Sequence, residues 1–94
     1  MLLNEKQIKK QLGKLPVEWI VVGGNILEKV FVFDDFKSAV GFVVLVGEEA
    51  EAINHHPDVT LSWGKVVIDI TTHNESGLTE KDFKLAKQIE TIGI

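Results

Sequence analysis

The sequence predicts an α+β fold, a single domain in which a four-stranded antiparallel sheet carries helices packed on one face. Two observations support this prediction. Two pairs of short apolar segments are each joined by a glycine-containing turn, which is typical of β-hairpins. Three further segments have apolar residues three or four positions apart, a spacing that indicates helices. One segment precedes the two pairs, one lies between them and one follows them. The predicted order is therefore α-β-β-α-β-β-α, a sheet covered by helices.

The first half of the chain predicts a short helix and a hairpin. A helix is expected over residues 5–12 because Asn4 precedes it as an N-cap and Gly13 follows it as a stop signal. Strands are expected over 18–22 and 26–33. The Gly-Gly-Asn sequence between them supplies the positive φ angles of a tight turn, so these strands should pair antiparallel.

The middle of the chain predicts a long helix from Asp34 or Asp35 to about Asn54. Its apolar positions at helical spacing are Phe36, Val40, Val43, Gly47 and Ala50. Residues 42–46 are apolar on every side and rich in β-branched side chains, so a buried strand remains an alternative there. A helix that is apolar all round needs a cover besides its own sheet, and a second subunit is the simplest one. We therefore expect a homodimer or homotetramer.

The second half predicts another hairpin and a final helix. Strands are expected over 59–63 and 65–72, with Gly64 in the tight turn between them. The last helix should run from the N-cap Thr79 to the end of the chain, with Asp82 placed to complete a capping box. Its apolar side is formed by Phe83, Ala86, Ile89 and Ile92 or Gly93.

Composition restricts the class of function. The chain has 94 residues and a formal net charge of −4, so residues 1–94 should form one domain without the broad basic face that binds nucleic acid. Cysteine is absent, which excludes disulfides, thiolate nucleophiles and the common cysteine-containing zinc sites. The longest apolar run, residues 39–47, is too short to span a bilayer, and no secretory signal is apparent. We expect a cytoplasmic protein with a small, roughly neutral partner.

Two of the three histidines, His55 and His56, are adjacent and precede Pro57. Consecutive side chains point about 100° apart on a helix and to opposite faces on a strand, so adjacent histidines cannot easily serve one pocket inside either element. The residue before a proline is pushed out of the helical region. The sequence therefore predicts that His55 ends the long helix and that His56 has already left it.

This position favours a proton donor. The C-terminus of a helix carries about half a negative charge, and Glu51 lies four residues before His55 on the same face. Both favour the charged imidazolium, so His55 should be able to give up a proton near neutral pH. The third histidine, His73, ends the second hairpin, where functional sites are common. Local sequence leaves open whether His73 meets the other two.

Each of these residues also has an ordinary structural interpretation. His73 could be a surface residue, Asp82 could serve only the capping box, and Glu51 could be solvated. Three histidines could bind a divalent ion, but adjacent histidines are poorly spaced ligands, so no metal is expected. The residues alone indicate an acid–base site.

The sequences "EAINHHPD", "TTH" and "GLTEKD" resemble the pterin-4a-carbinolamine dehydratases. The family pattern is a glutamate four residues before His-His-Pro and an acidic residue, then a hairpin ending in Thr-His, then Gly-Leu-Ser/Thr and an aspartate opening the last helix. A weaker likeness extends upstream over nearly the whole chain. Two positions depart from the pattern: Val59 replaces a frequent tryptophan, and Asn54 stands where some members have an acidic residue.

The resemblance implies a hydro-lyase that eliminates water from 4a-hydroxytetrahydropterin, in tetrahydrobiopterin recycling, with neither metal nor organic cofactor. It implies that His55, His56 and His73 are catalytic. It implies that the substrate-binding residues are Glu51, Pro57, Thr72, Asn74 and Asp82. Within this set, His55 and His73 would be the general acids and His56 would hold the pterin.

A second class of function remains open on the same fold. Some relatives in this family act as dimerisation partners of a transcription factor or as assembly helpers, so the chain could be a protein-binding module. The presence of all three histidines at the family spacing favours the enzyme. No direct binding of nucleic acid and no membrane association are expected.

Overall fold

Three helices and four strands follow one another in the predicted order, so the predicted α+β fold is confirmed. The computed structural model describes residues 1–93. The helices are α1 (Glu5–Leu12), α2 (Phe36–Ile53) and α3 (Glu80–Glu90). The strands are β1 (Ile20–Val22), β2 (Ile26–Val32), β3 (Asp58–Ser62) and β4 (Lys65–Ile70).

The four strands form one antiparallel sheet in the order β1-β2-β4-β3. The two hairpins join through β2 and β4, where Leu27 pairs with Ile70. Gly23 and Gly24 have φ angles of 60° and 76°, which confirms the predicted turn. Gly64 is required for a different reason, because a Cβ atom at this position would lie 2.8 Å from the carbonyl oxygen of Phe33.

One face of the sheet is the core and packs against the helices. The buried strand residues are Leu27, Phe31, Val66, Ile68 and Ile70, and α3 adds Phe83, Leu85, Ala86 and Ile89. Trp19 and Phe42 bracket Phe31, with ring centroids 6.2 and 4.6 Å from it. Successive strand residues alternate between the two faces, and on the other face Val30, Val32, Thr60 and Ser62 are exposed, so within residues 1–93 this face of the sheet is open.

Residues 42–46 are helical, so the alternative of a buried strand is wrong. The face that α2 turns to the sheet is formed by Ala39, Phe42, Val46 and Ala50. This is not the predicted apolar set, since Phe36 and Val40 are exposed and only Ala50 belongs to both. Val44 and Leu45 are also exposed. The outer side of α2 is therefore an apolar surface.

Several predicted elements are shorter in the structure. Trp19 donates its backbone N–H to the carbonyl of Pro16 in a turn, so β1 begins at Ile20 rather than at residue 18. The strand predicted over 65–72 stops at Ile70, and His73 opens a short 3₁₀ turn instead of ending a strand. Helix α3 ends at Glu90, and Ile94 lies outside the described residues.

Glu90 ties α3 to the sheet at the margin of the core. Its Oε2 accepts hydrogen bonds from the indole of Trp19 at 2.8 Å and from Nζ of Lys29 at 2.6 Å. Lys29 lies on the core face of β2, and its ammonium is 4.5 Å from the centroid of the Phe31 ring. The Glu90 carboxylate therefore compensates the charge of Lys29, which would otherwise be unpaired on the buried face of the strand.

Three carboxylates lie in a row on the open face. Asp69 of β4 is directly opposite Glu28 on one side and Asp58 on the other. Like charges opposite each other destabilise a sheet. The pKa of Asp69 is raised to about 6, mainly by burial and then by the Glu28 carboxyl and the Asp58 charge. Its Oδ1 is buried without a hydrogen-bond partner among residues 1–93.

We expect Asp69→Asn to stabilise the protein at pH 7. The folded state binds a proton at Asp69 more tightly than the unfolded chain does, so stability should fall as pH rises from the ordinary value of 3.8 to about 6. Above that range the ionised group should cost about 1 kcal/mol after solvent screening. Urea unfolding at pH 4 and pH 7 measures the effect. The exposed control Asp34→Asn should leave the pH dependence unchanged, and a D69N protein no more stable at pH 7 would contradict this account.

Candidate active site

Helix α2 ends in a left-handed residue that delivers the histidine pair. Asn54 has φ 51° and ψ 45°, a conformation that asparagine tolerates better than most residues. The backbone N–H of His55 donates to the carbonyl of Ala50, and that of Asn54 donates to Glu51. This is a Schellman motif. The prediction that Pro57 ends the helix at His55 is wrong, because the helix ends at Ile53 and Asn54 turns the chain.

His55 is held by a buried carboxylate. Its Nε2 lies 2.7 Å from Oδ1 of Asp82, and the side chains of the two residues are 12% and 0% exposed. The other oxygen of Asp82 accepts the backbone N–H of Thr79 at 2.8 Å, which completes the predicted capping box of α3. Asp82 therefore serves both the helix N-terminus and the histidine.

Two threonine hydroxyls extend this network. Thr72 donates its hydroxyl to Oδ2 of Asp82 at 2.8 Å, and its oxygen lies 2.9 Å from the hydroxyl of Thr79. Because the Thr72 proton is used on Asp82, Thr79 must be the donor between the two hydroxyls. An ionised carboxylate can only accept hydrogen bonds, so the contact of Asp82 with Nε2 of His55 requires the proton to be on that nitrogen.

His56 has a different environment. Its Nε2 is paired with Oε2 of Glu51, and the two side chains are 53% and 76% exposed. Glu51 was expected to act on His55, and the structure pairs it with His56 instead. The Schellman turn is the reason, since it rotates the backbone between the helix and His56. The adjacent histidines therefore contact separate carboxylates, one buried and one solvated.

His73 stands on a loop that is fastened at both ends. Thr72 and Gly77 form an isolated β-bridge around the 3₁₀ turn His73–Glu75. The carbonyl of Leu78 accepts the backbone N–H of Leu3 at 2.9 Å. At the start of the loop, Thr71 donates its hydroxyl to the carbonyl of Asn25 at 2.7 Å. These bonds fix the backbone around an exposed imidazole.

All three histidines line one open cavity of about 400 Å³. Its lining residues are Asn54, His55, His56, Thr71, Thr72, His73, Asn74 and Lys81. Of the other residues singled out from the sequence, Thr72 and Asn74 belong to this lining. Glu51 contacts His56 and Asp82 contacts His55, but neither carboxylate belongs to the lining, and Pro57 is half-buried and also outside it. The fold thus brings together imidazoles from two distant segments.

Sequence reasoning missed Thr71, Thr79 as a hydroxyl donor, and Lys81. Only Lys81 had a local signal, as a cation beside Asp82 at the start of a helix; the hydroxyl contacts depend on tertiary pairing.

A larger groove of about 700 Å³ lies between α1 and β1, but it is mainly apolar and contains no histidine. Within residues 1–93 no group of three or more His, Asp or Glu side chains is arranged to hold a metal ion. In the same part of the chain no helix is long and apolar enough to cross a membrane.

Comparison with known proteins identifies the family. Residues 1–92 match the model of the family described as pterin 4 alpha carbinolamine dehydratase. The chain belongs to this family. A relative from Sulfurisphaera tokodaii, named as a candidate pterin-4-alpha-carbinolamine dehydratase, is 43% identical, with 96% of this chain and 95% of the relative covered. A Cyanothece relative of the same name is 47% identical over 97% of this chain and 92% of its own. The predicted family and enzyme class, a hydro-lyase, are confirmed.

Two solved structures share the fold. A transcriptional coactivator/pterin dehydratase from Brucella melitensis superposes with a TM-score of 0.89 at 32% identity, and 97% of each chain is covered. A pterin dehydratase-like protein identified as a RuBisCO assembly factor in the alpha-carboxysome gives a TM-score of 0.66 at 17% identity, covering 79% of this chain and 87% of its own. The second likeness is one of fold alone.

The threonine network predicts the effect of removing one hydroxyl. Thr72→Val deprives Asp82 of a buried donor, so we expect a loss of about 2 kcal/mol in the free energy of unfolding and a changed ¹⁵N signal for the His55 ring. Thr72→Ser keeps the hydroxyl and should retain the signal. Urea unfolding and NMR of the labelled imidazole measure both effects. Thr60→Val, on an exposed strand, is the control. An unchanged His55 signal in T72V would refute the network.

Proposed function

We propose that the protein dehydrates 4a-hydroxytetrahydropterin to the quinonoid dihydropterin by histidine acid–base catalysis. The observation that carries the proposal is the single cavity shared by His55, His56 and His73, in a chain that belongs to the dehydratase family. Imidazoles are the side chains best suited to give and take protons near neutral pH.

The reaction makes two demands on the site. The C4a–O bond breaks with its electron pair on oxygen, which takes a proton and leaves as water. A proton departs from the adjacent ring nitrogen, whose electrons form the new double bond. The elimination is redox-neutral and its atoms balance without an added reactant. The protein therefore has to supply one acid, one base and a fixed orientation.

The contacts of each histidine support a division of roles. His55 is positioned by the buried Asp82, so it is suited to proton transfer that needs fixed geometry. His73, at the start of the 3₁₀ turn after β4, lines the same cavity and is the second acid–base group of the proposal. His56 is half-exposed and bound to Glu51, which suits it to holding the pterin. Backbone groups near Thr72 and Asn74 would meet the amide-like edge of the ring.

The activity is tested by adding the purified protein to chemically generated 4a-hydroxytetrahydropterin. We expect formation of the quinonoid product to exceed the spontaneous rate, by about 10²–10⁴-fold from proton transfer, with a metal chelator present. Acceleration that the chelator abolishes would replace the acid–base proposal with a metal mechanism. A rate equal to the spontaneous one would favour a protein-binding module on this fold. The proposed setting is pterin recycling in the cytoplasm.

The same assay separates the side chains. His55→Ala and His73→Ala should each lower kcat/KM by about 10²-fold or more, because each removes a proton-transfer group. Asn74→Ala should cost much less, since its proposed contact is through the backbone. Circular dichroism of each variant checks folding. Equal and small losses for all three variants would contradict the assigned roles.

We further propose that the outer side of α2 is covered by a second copy of the chain in a homodimer or homotetramer. Val40, Val44 and Leu45 are exposed on the part of α2 turned away from the sheet, and exposed apolar side chains grouped in this way mark an association site. Light scattering should give a multiple of the 10.5 kDa chain mass. Val44→Lys should shift the protein toward monomer, whereas Val17→Lys, at an exposed loop valine, should not. A monomeric wild-type protein would disprove this proposal.

A further inference from the structure

A basic groove adjoins the histidine cavity. It has a volume of about 450 Å³ and runs between the end of α1 and the outer side of α3. Its lining residues are Gln11, Lys14, Glu80, Lys81, Phe83, Lys84 and Lys87. Lys81 also lines the histidine cavity, so the two cavities lie on either side of this residue.

The groove is positively charged although the protein as a whole is negatively charged. The chain has a net charge of −4, yet four of its ten basic residues line this groove with a single carboxylate, Glu80. The salt bridges found among residues 1–93 involve none of these four lysines. Unpaired ammonium groups around a concave surface create a local positive potential that attracts anions.

The spacing along α3 fits an elongated ligand. Lys81, Lys84 and Lys87 follow one another at three-residue intervals, so each is about 4.5 Å further from the histidine cavity along the helix axis. A pterin ring bound among the imidazoles could therefore direct a side chain of a few bonds past Lys81. The end of that side chain would lie among Lys84, Lys87 and Lys14.

We propose that this groove binds an anionic side chain of the substrate, so that the preferred pterin carries a phosphate monoester. The inference rests on the proposed function, because it places the pterin ring in the histidine cavity. Lysine binds phosphate as a mobile point charge, and hydrogen bonds between charged groups are about twice as strong as neutral ones. Lys81 would act as a specificity residue where the cavity and the groove meet.

The test compares two ligands that differ only by the phosphate. One is a dihydropterin with a hydroxymethyl side chain, and the other is its phosphate monoester. We expect the ester to bind at least about tenfold more tightly in calorimetric titration at low salt, and the difference to shrink as salt is added. The double variant Lys84→Gln/Lys87→Gln should lose most of this preference. The control Lys65→Gln, on β4 and outside the groove, should keep it.

Equal affinity for the two ligands would overturn the inference, and so would a preference that survives in the double variant. Both results would leave the proposed dehydratase function in place, because the assay with a neutral 4a-hydroxytetrahydropterin tests that function separately. Failure of the neutral substrate to react faster than it does spontaneously, together with no binding of either ligand, would overturn both.

Discussion

The carboxylate of Asp82 is the interaction on which the fold and the site both depend. A buried charge costs several kcal/mol unless its oxygens are fully hydrogen-bonded. Here the donors come from three segments that are far apart in the sequence, namely Thr79 at the start of α3, Thr72 after β4, and His55 after α2. Because the charge is stabilised only when all three segments meet, the assembly of the fold also fixes the position of His55.

Local chemistry predicts most of the architecture. The Gly-Gly turn and Gly64 identify the two hairpins, and the capping box of Thr79 and Asp82 identifies the start of α3. These features depend on backbone sterics and on hydrogen bonds between residues close in sequence, so they can be predicted from the local sequence alone. Only the family resemblance predicted that His73 lies in the same site as the histidine pair. Local chemistry could not predict it, because these residues are far apart in the sequence.

The errors occurred where a tertiary contact chooses between local options. Helix α2 is apolar around much of its circumference, so the spacing that predicts the helix does not decide which side faces the sheet, and Phe36 and Val40 of the predicted set are exposed. Two residues near the end of α2 can terminate a helix, Asn54 and Pro57. The helix ends at Asn54, which comes first along the chain. The same turn decides that Glu51 pairs with His56, a contact that ideal helical spacing assigns to His55.

The distribution of charge gives the acidic protein two different surfaces. Glu28, Asp69 and Asp58 lie across the open face of the sheet, whereas the helices cover the opposite face and the lysine groove lies in that helical layer. An anion approaching the protein is therefore repelled from the open face and attracted to the lysine groove, which shares Lys81 with the histidine cavity. Net charge alone suggested a roughly neutral partner, but the net value averages over these two surfaces. The four lysines of the adjoining groove are where the local charge departs from that average.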